Sequence, residues 1–245
     1  MSLVWALATL LAGDGLPEKA PVACTVNPPI AGFVSLVERA VVPVEPRYHS
    51  DNNFTGMPLP GYAARDLWLR QDVAEALEKV QASLQKQGLS LLVFDAYRPI
   101  RGTLAMVAWA ECTGRKALLE QGYIARRSGH NHGNTVDLTL RNAEGVLDMG
   151  SPFDHFSEAS HTLNAKGVVL KNRLLLKQAM ESQGFRNYSK EWWHYSMPVL
   201  DSLPRDVPYG CLELEEGAWN PPTGWDVREY RIFKDGPSTP CTSAP

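Results

Sequence analysis

The feature that most constrains this chain is a pair of short polar motifs that lie far apart in the sequence. The first runs from Ser128 to Asp137 and contains His130, and the second runs from Glu191 to His194. A catalytic zinc ion takes three protein ligands of the His, Asp, Glu or Cys type and keeps its fourth position for water. The two motifs can supply such a site only if the fold brings them together, so the sequence predicts one domain built around them.

The residue types of the two motifs suggest a role for each polar side chain. His130, Asp137 and His194 are the candidate ligands of one zinc ion per chain. Glu191 is the candidate general base that takes a proton from the attacking water. His132 is an alternative ligand, because on a strand it would share a face with His130.

Length and charge exclude several other classes of protein. The chain has 245 residues, of which 44% are hydrophobic and 21% charged, and this composition fits one well-buried domain. A formal net charge of -3 gives no basic surface, so we expect no nucleic-acid partner. No apolar run is long enough to cross a bilayer. The composition leaves the oligomeric state open.

The first 23 residues form an apolar lead that resembles an export signal. Leu3 to Ala12 could be its hydrophobic region, although no basic residue precedes Lys19. We expect a periplasmic or otherwise exported protein, with a cytoplasmic location as the alternative. The cysteines are widely spaced and even in number, which allows two disulfides in an oxidising compartment, while scattered reduced thiols remain the alternative. They are Cys24, Cys112, Cys211 and Cys241.

The spacing of apolar residues predicts the elements that come before the first motif. Residues 13–47 have no helical period and are expected to be extended. Residues 66–87 have a helical period. The apolar stripe of this helix comprises Val73, Leu77, Val80 and Leu84. Residues 89–94 are a short apolar run typical of a buried strand, which leads into Asp95 and Arg98.

The rest of the chain predicts an antiparallel arrangement. Two helices are expected over 101–112 and 115–121, and a strand over 136–140 carries Asp137. A further helix over 168–182 would face the core with Leu170, Leu174 and Leu175. The last two strands, 185–188 and 192–196, form a hairpin. Strands and helices do not alternate regularly, so the predicted class is α+β, an antiparallel central sheet flanked by helices.

Four motifs together resemble those of the VanX-type D-alanyl-D-alanine dipeptidases, which are zinc DD-peptidases with a hedgehog-like fold. The pattern S-x-H-x-x-G-x-x-x-D coincides with residues 128–137, and E-W-W-H with residues 191–194. D-x-Y-R-P coincides with residues 95–99, and the motif that begins at Tyr48 is approached by residues 52–56. The register of the first pattern favours His130 over His132 as the ligand.

The resemblance implies roles for residues around the metal and an activity for the protein. Arg98 would stabilise the tetrahedral intermediate, although it could instead pair structurally with Asp95. Asp154 would bind the ammonium group of a free dipeptide. The other expected pocket residues are Ser128, Tyr48 and Asp95. The implied reaction is hydrolysis of D-alanyl-D-alanine and similar D,D-dipeptides.

Two departures from the family pattern support an alternative substrate. Asn52 stands where the family has an aspartate, and the segment 111–127 is short. The first change removes a carboxylate near the pocket, and the second would open the cleft. An open cleft favours a carboxypeptidase or endopeptidase that acts on peptidoglycan stem peptides. A third hypothesis is a zinc-binding module without catalytic activity, but such a module has no need of Glu191 and Arg98.

The expected domain organisation has three parts. The apolar lead covers residues 1–23, and the zinc dipeptidase domain covers 24–198. Residues 199–245 form an extension that is rich in proline and aromatic residues. This number of aromatic side chains argues against a free disordered tail. We therefore expect the extension to pack on the domain. A surface patch for a partner is the alternative.

Overall fold

The computed structural model describes residues 28, 30–198 and 202–210 of the chain. The first elements are β1 (Phe33–Ser35), β2 (Trp68–Arg70), α1 (Gln71–Gln85), β3 (Ser90–Asp95) and α2 (Ile100–Cys112). They are followed by α3 (Ala117–Glu120), β4 (Thr135–Asn142), β5 (Gly145–Val146), α4 (Gly167–Glu181), β6 (Arg186–Asn187) and β7 (His194–Ser196). Three single-turn 3₁₀ helices cover Arg47–His49, Gly129–His132 and Glu158–Ser160.

The main sheet has the strand order β3-β4-β7-β6, with β5 paired to β4, and its strand pairs are antiparallel. Helix α1 packs on β3 and on α4, and α4 packs on β4 and β6. The sheet flanked by helices confirms the predicted α+β class. Residues 135–140 of β4 are all buried, which is typical of a central strand covered on both faces.

The register of β4 sets the position of the functional side chains. Asp137 lies opposite His194 of β7 on one side and opposite Asp95 of β3 on the other. The regular pairing of β3 with β4 is interrupted between Val93 and Asp95, where the register shifts. Three residues that are distant in sequence therefore meet across three adjacent strands.

The helix predicted over residues 66–87 begins later than expected. Residues 68–70 form β2 instead, because they pair with β1 at residues 33–35, a partner that local periodicity cannot reveal. The same pairing shows that residues 33–35, which lie in the segment expected to be extended, form a strand. The predicted apolar stripe is confirmed, since its four members are completely buried in α1.

The predicted core face of α4 was confirmed at Leu175, which packs against the core, and was wrong at Leu174. Leu174 is 42% exposed, whereas the buried residues of this helix are Arg173, Leu176 and Met180. Arg173 is buried because its guanidinium donates hydrogen bonds to the backbone carbonyls of Met149 and of two residues in 159–161. A charged side chain thus occupies a position that apolar patterning assigns to the surface.

Residues 202–210 lie against the back of the site. The backbone of Arg205 donates to the carbonyl of Asn131, and Asp206 forms an ion pair with Arg101 at 3.0 Å. Tyr209 stacks on Tyr62 at a centroid distance of 5.4 Å. The remainder of the predicted extension, and the predicted lead over residues 1–23, lie outside the described residues. Among the described helices none is long and apolar enough to cross a membrane.

Candidate active site

Three potential ligands converge where β4, β7 and the 3₁₀ helix before β4 meet. Nε2 of His130 lies 3.3 Å from Oδ2 of Asp137, and Nδ1 of His194 lies 3.0 Å from Oδ1 of the same carboxylate. The two imidazole nitrogens are 3.4 Å apart. All three ligand atoms lie within 4.8 Å of one another, so a single cation can reach them.

The local sequence explains how His130 is presented. Ser128 caps the 3₁₀ helix by accepting from the backbone N–H of His130, while Asn131 accepts from the backbone N–H of Ser128. Gly133 ends the helix with φ of 70°, and its hydrogen points at the ring of Phe33, where a side chain would collide. Glycine is therefore required for the turn into β4.

The unsatisfied atoms of this cluster fit a metal ion. Oδ1 of Asp137 is buried and accepts no hydrogen bond from the described residues, although His194 is close. Nδ1 of His130 lies 2.6 Å from the backbone carbonyl of Ala96, to which it donates, so Nε2 is the nitrogen that faces the cluster. Two imidazole nitrogens and one carboxylate oxygen form a donor set that suits zinc.

The protonation states agree with this interpretation. Burial alone would raise the pKa of Asp137, but the imidazoles of His130 and His194 hold it below its usual range. Desolvation lowers the pKa of His194, and this decrease outweighs the increase that the charge of Asp137 causes. The ionised carboxylate and the neutral imidazole are the forms that bind metal ions.

Arg98 lies beside the cluster, held by Asp95 at the end of β3. Nε and Nη2 of Arg98 donate to Oδ2 of Asp95 at 3.0 and 2.8 Å, and Nη2 is 3.8 Å from Oδ2 of Asp137. The hydroxyl of Tyr62 donates to Oδ1 of Asp95 at 2.8 Å. Asp95 is completely buried behind Arg98. Tyr62 was missed by sequence reasoning, because a tyrosine after Gly61 in a proline-rich loop carries no distinctive signal.

Two further carboxylates face the cluster. Oε2 of Glu191 lies 3.6 Å from Nδ1 of His194, and burial, followed by the charges of Asp137 and Asp154, raises the pKa of Glu191. Asp154 accepts a hydrogen bond from the hydroxyl of Tyr48 at 2.8 Å, and burial raises its pKa as well. Asp154 has φ of 58°, a conformation that non-glycine residues rarely adopt. Neither the buried Glu191 nor the half-buried Asp154 pairs with a lysine or arginine among the described residues, which is unusual and indicates a binding site for cations.

These groups line one cavity of about 370 Å³, within the range of small-molecule sites. Eight of the nine predicted site residues line it: Tyr48, Arg98, Ser128, His130, Asp137, Asp154, Glu191 and His194. The ninth, Asp95, supports Arg98 from behind. His132 points away from the cluster, with Nδ1 at 3.0 Å from the carbonyl of Ser202.

The short segment 111–127 forms one wall of this cavity. The hydroxyl of Tyr188 donates to the carbonyl of Gly122 at 3.0 Å, and Nζ of Lys190 donates to the carbonyl of Gln121. The hydroxyl of Tyr123 lies 2.9 Å from Nε2 of His161. Asn52, the departure from the family pattern, is exposed and does not line the cavity.

Comparison with known proteins agrees with this geometry. The family model described as D-ala-D-ala dipeptidase, Peptidase_M15, matches residues 34–208. A D-alanyl-D-alanine dipeptidase from Enterococcus faecium is 34% identical over 181 residues, which is 66% of this chain and 86% of that protein. One from Enterococcus faecalis (strain ATCC 700802 / V583) is 36% identical over 169 residues, 62% of this chain and 83% of the relative.

A third relative, the D-alanyl-D-alanine dipeptidase of Escherichia coli (strain K12), is 34% identical over 176 residues, 69% of this chain and 88% of the relative. The matched region contains every element that positions the three ligands, Arg98 and Glu191. The family is one of metallopeptidases, in agreement with the cluster of His130, Asp137 and His194. On this basis the chain belongs to the D-ala-D-ala dipeptidase family, Peptidase_M15.

Proposed function

We propose that this protein is a zinc-dependent dipeptidase that hydrolyses D-alanyl-D-alanine, and similar D,D-dipeptides, to free amino acids. The observation that carries the proposal is the convergence of three ligands, a buried carboxylate base, a buried arginine and a second, half-buried carboxylate in one cavity. The names of the relatives supply the substrate class.

The ion would be held by His130, Asp137 and His194. The chemistry that zinc supplies when bound is Lewis acidity, which polarises a carbonyl and acidifies water. Glu191 is placed to accept the proton of the attacking water, since its carboxylate lies within 3.6 Å of a ligand atom without belonging to the triad. The same carboxyl group then donates that proton to the leaving amine.

Arg98 stabilises the oxyanion that develops on the substrate carbonyl. Asp95 engages two of its N–H groups, Nη1 contacts the sulfur of Met106 at 3.2 Å, and the planar guanidinium has five N–H groups in all. The remaining donors can serve the substrate. Because Asp95 fixes the guanidinium before the reaction, little reorganisation is needed in the transition state.

Asp154 binds the ammonium group of the dipeptide. Its carboxylate is oriented by Tyr48, and Ser128 contributes a further polar group to the same cavity. A substrate without a free ammonium group would leave the half-buried carboxylate of Asp154 without a cationic partner, which is unfavourable. This residue therefore favours free dipeptides over the longer stem peptides of peptidoglycan.

The compartment is part of the proposal. We propose that the protein is exported to the periplasm or beyond. Cys112 is disulfide-bonded, and disulfides persist mainly in oxidising compartments. The apolar stretch from Leu3 to Ala12 also supports export. Fractionation of cells that express the full chain tests this, and recovery with the cytoplasmic proteins would contradict it.

The test of the function is release of D-alanine from D-alanyl-D-alanine by the zinc-loaded protein. Glu191→Gln should lower kcat by about 100- to 10,000-fold, since general acid–base catalysis contributes that much, while zinc content stays at one per chain. The matched control is Glu181→Gln, at an exposed glutamate paired with Lys177, which should keep full activity.

Two other outcomes would contradict the proposal. Hydrolysis of a pentapeptide stem but not of the free dipeptide would indicate a carboxypeptidase or endopeptidase. Full zinc occupancy without hydrolysis of either peptide would indicate a binding module.

A further inference from the structure

We propose that Arg173 of α4 is a positioning residue for Asp154, and that it acts by holding both ends of the segment 149–161. This segment, the Asp154 loop, carries the carboxylate that binds the ammonium group of the substrate. The inference rests on the proposed function, because that function assigns the ammonium group to Asp154. Arg173 itself does not line the cavity, so its influence on the substrate passes through the loop.

The guanidinium of Arg173 joins the start of the Asp154 loop to its end. Nε donates to the backbone carbonyl of Met149 at 2.8 Å, and Nη2 donates to the same carbonyl. Nη2 also donates to the carbonyl of Ala159, and Nη1 donates to that of His161, both at 2.8 Å. Because the guanidinium is planar and its N–H groups point in fixed directions, these bonds fix the distance between the two ends of the loop.

The burial of Arg173 shows how much depends on these bonds. Its exposed fraction is 1%, so water does not satisfy its charge. A buried cation is stable only where other groups replace its hydration, and the backbone carbonyls of the loop do so here. An apolar side chain would fill the same position without this requirement. The advantage of an arginine therefore lies in its bonds to the loop.

Gly150 allows the start of the loop to approach α4 closely. Its φ is 76°, and a β-carbon at this position would lie 2.6 Å from Cγ1 of Val169 and 3.5 Å from Nη2 of Arg173. A side chain at residue 150 would therefore push the loop away from the helix. The backbone of the loop is fitted to the helix at the end where Met149 accepts from the guanidinium.

Asp154 needs support from outside the loop because its own conformation is unfavourable. Its φ of 58° costs free energy in a non-glycine residue and persists only where the surroundings enforce it. The 3₁₀ helix Glu158–Ser160 lies beyond Asp154 and does not include it. Tyr48 orients the carboxylate through its hydroxyl, and Arg173 holds the backbone on either side.

A second contact connects the same loop to the neighbour of the base. Nε1 of Trp192 donates to Oγ of Ser151 at 2.9 Å, and the backbone N–H of Trp192 donates to the carbonyl of Ser160 at 3.1 Å. Trp192 directly follows Glu191 in the sequence. The loop is therefore held from α4 on one side and from the segment that carries the base on the other.

The substrate requires this accuracy. In a dipeptide, one carbon atom separates the ammonium group from the scissile carbonyl, so the carboxylate of Asp154 must lie at a defined distance from the metal ligands. A displacement of the loop by about 1 Å would weaken the ion pair with the ammonium group, while the ligands on the strands would stay in place. Loss of the clamp should therefore weaken substrate binding and leave the chemical step nearly intact.

The test is calorimetric titration of D-alanyl-D-alanine into zinc-loaded variants in a Glu191→Gln background, so that binding is measured without hydrolysis. Arg173→Lys keeps the charge but cannot reach all of the carbonyls, and it should weaken binding by about 10-fold. Arg173→Met should weaken binding at least as much. In the active enzyme, Arg173→Lys should raise KM by a similar factor and change kcat by less than about threefold.

The coupling between Arg173 and Asp154 distinguishes positioning from general support of the fold. In an Asp154→Asn background the ammonium group has already lost its charged partner, so Arg173→Lys should weaken binding by less than about threefold. An equal loss in both backgrounds would overturn the inference. Unchanged affinity for Arg173→Lys with Asp154 intact would overturn it as well.

The matched control for stability is Met180→Ala. Met180 is buried in the same helix, about two turns from Arg173, so its truncation should destabilise the protein and leave the affinity for the dipeptide unchanged. Weaker binding of the same size in this control would overturn the inference. Gly150→Ala serves as a second variant if Arg173→Met fails to fold, because it displaces the loop with the guanidinium intact. It should also weaken binding, and unchanged affinity would contradict the clamp.

Hydrogen exchange tests the clamp without a substrate, and so independently of the proposed function. Backbone amides of residues 149–161 should exchange faster in Arg173→Lys than in the wild type, whereas those of β4 should not change. If the wild type neither bound nor hydrolysed D-alanyl-D-alanine, the proposed function would fail, while this comparison would still decide whether Arg173 holds the loop. Equal exchange in the two proteins would overturn the inference even in an active enzyme.

Discussion

The metal end and the mouth of the cavity are built in different ways. At the metal end the polar side chains stand on or next to three paired strands, β3, β4 and β7, and most of them are buried. At the mouth, the wall formed by residues 117–127 contains a single four-residue helix, α3. That wall is held by long side chains of other segments that donate to its backbone carbonyls.

The difference in construction suggests that the metal end serves catalysis and that the mouth serves substrate recognition. Strand pairing fixes the relative positions of Asp95, Asp137 and His194 through the backbone, which gives the precision that a metal site and an oxyanion donor require. The mouth depends on individual hydrogen bonds in a partly exposed setting, each of which contributes little. Substitutions at the metal end should therefore change kcat and stability strongly, and substitutions at the mouth should mainly change KM.

The largest effect of this kind is expected at Asp95. Asp95→Asn leaves the charge of Arg98 uncompensated in a buried position, which should lower the free energy of unfolding by about 3 kcal/mol. It should also lower kcat by about 100-fold, because the guanidinium is no longer held for the oxyanion. Denaturant unfolding and steady-state kinetics measure the two effects.

The control for this variant is Asp72→Asn, which weakens an exposed ion pair with Arg70 at 3.2 Å. Exposed pairs contribute less than about 1 kcal/mol, so stability and kcat should both stay near the wild-type values. An Asp95 variant that behaved like this control would show that strand pairing alone positions Arg98, and the proposed importance of the buried carboxylate would be wrong.

The sequence predicted the metal end better than the surroundings that support it. His130, Asp137 and His194 could be identified because their spacing and neighbours are distinctive, and the antiparallel sheet that joins them was predicted as well. Tyr62 and Arg173 could not be identified, because their roles depend on partners distant in sequence: a carboxylate for one and backbone carbonyls for the other. Patterns of polarity describe which face an element buries, but they do not report such pairings.

Substitution of Asp154 tests whether a loop residue affects activity as strongly as the residues on the strands do. Asp154 lies in a loop, as the mouth residues do, but it is half-buried and accepts a hydrogen bond from the buried Tyr48. Asp154→Asn keeps the shape and tolerates the positive φ of this position. It should lower kcat/KM for free D-alanyl-D-alanine by about 10- to 100-fold, because the ammonium loses a charged partner. The loss should be small for the N-acetylated dipeptide, which has no ammonium group.

The control for Asp154 is Asp148→Asn, at an exposed aspartate that accepts from the backbone N–H of Gly150. Asparagine can accept the same bond, so both peptides should react at the wild-type rate. An equal loss of activity on free and acetylated dipeptide in Asp154→Asn would show that this loop supports the metal end and does not recognise the ammonium.

The smallest effect is expected at Tyr188, which touches both regions. Its hydroxyl donates to Gly122 at the mouth, while its backbone N–H donates to the carbonyl of the ligand His194 at 3.0 Å. Tyr188→Phe removes only the contact at the mouth. KM for D-alanyl-D-alanine should rise by at most about threefold, and stability should fall by less than about 1 kcal/mol, since the lost bond is partly exposed. Zinc affinity and kcat should not change.

Tyr195 provides the matched control for Tyr188, from the same hairpin. Its hydroxyl is buried and has no hydrogen-bond partner among the described residues, so Tyr195→Phe should leave KM unchanged and stability equal or slightly higher. If Tyr188→Phe weakened zinc binding in a chelator competition while Tyr195→Phe did not, the mouth would be coupled to the ligands through the hairpin. The separation of recognition from chemistry would then fail at a residue that contacts both regions.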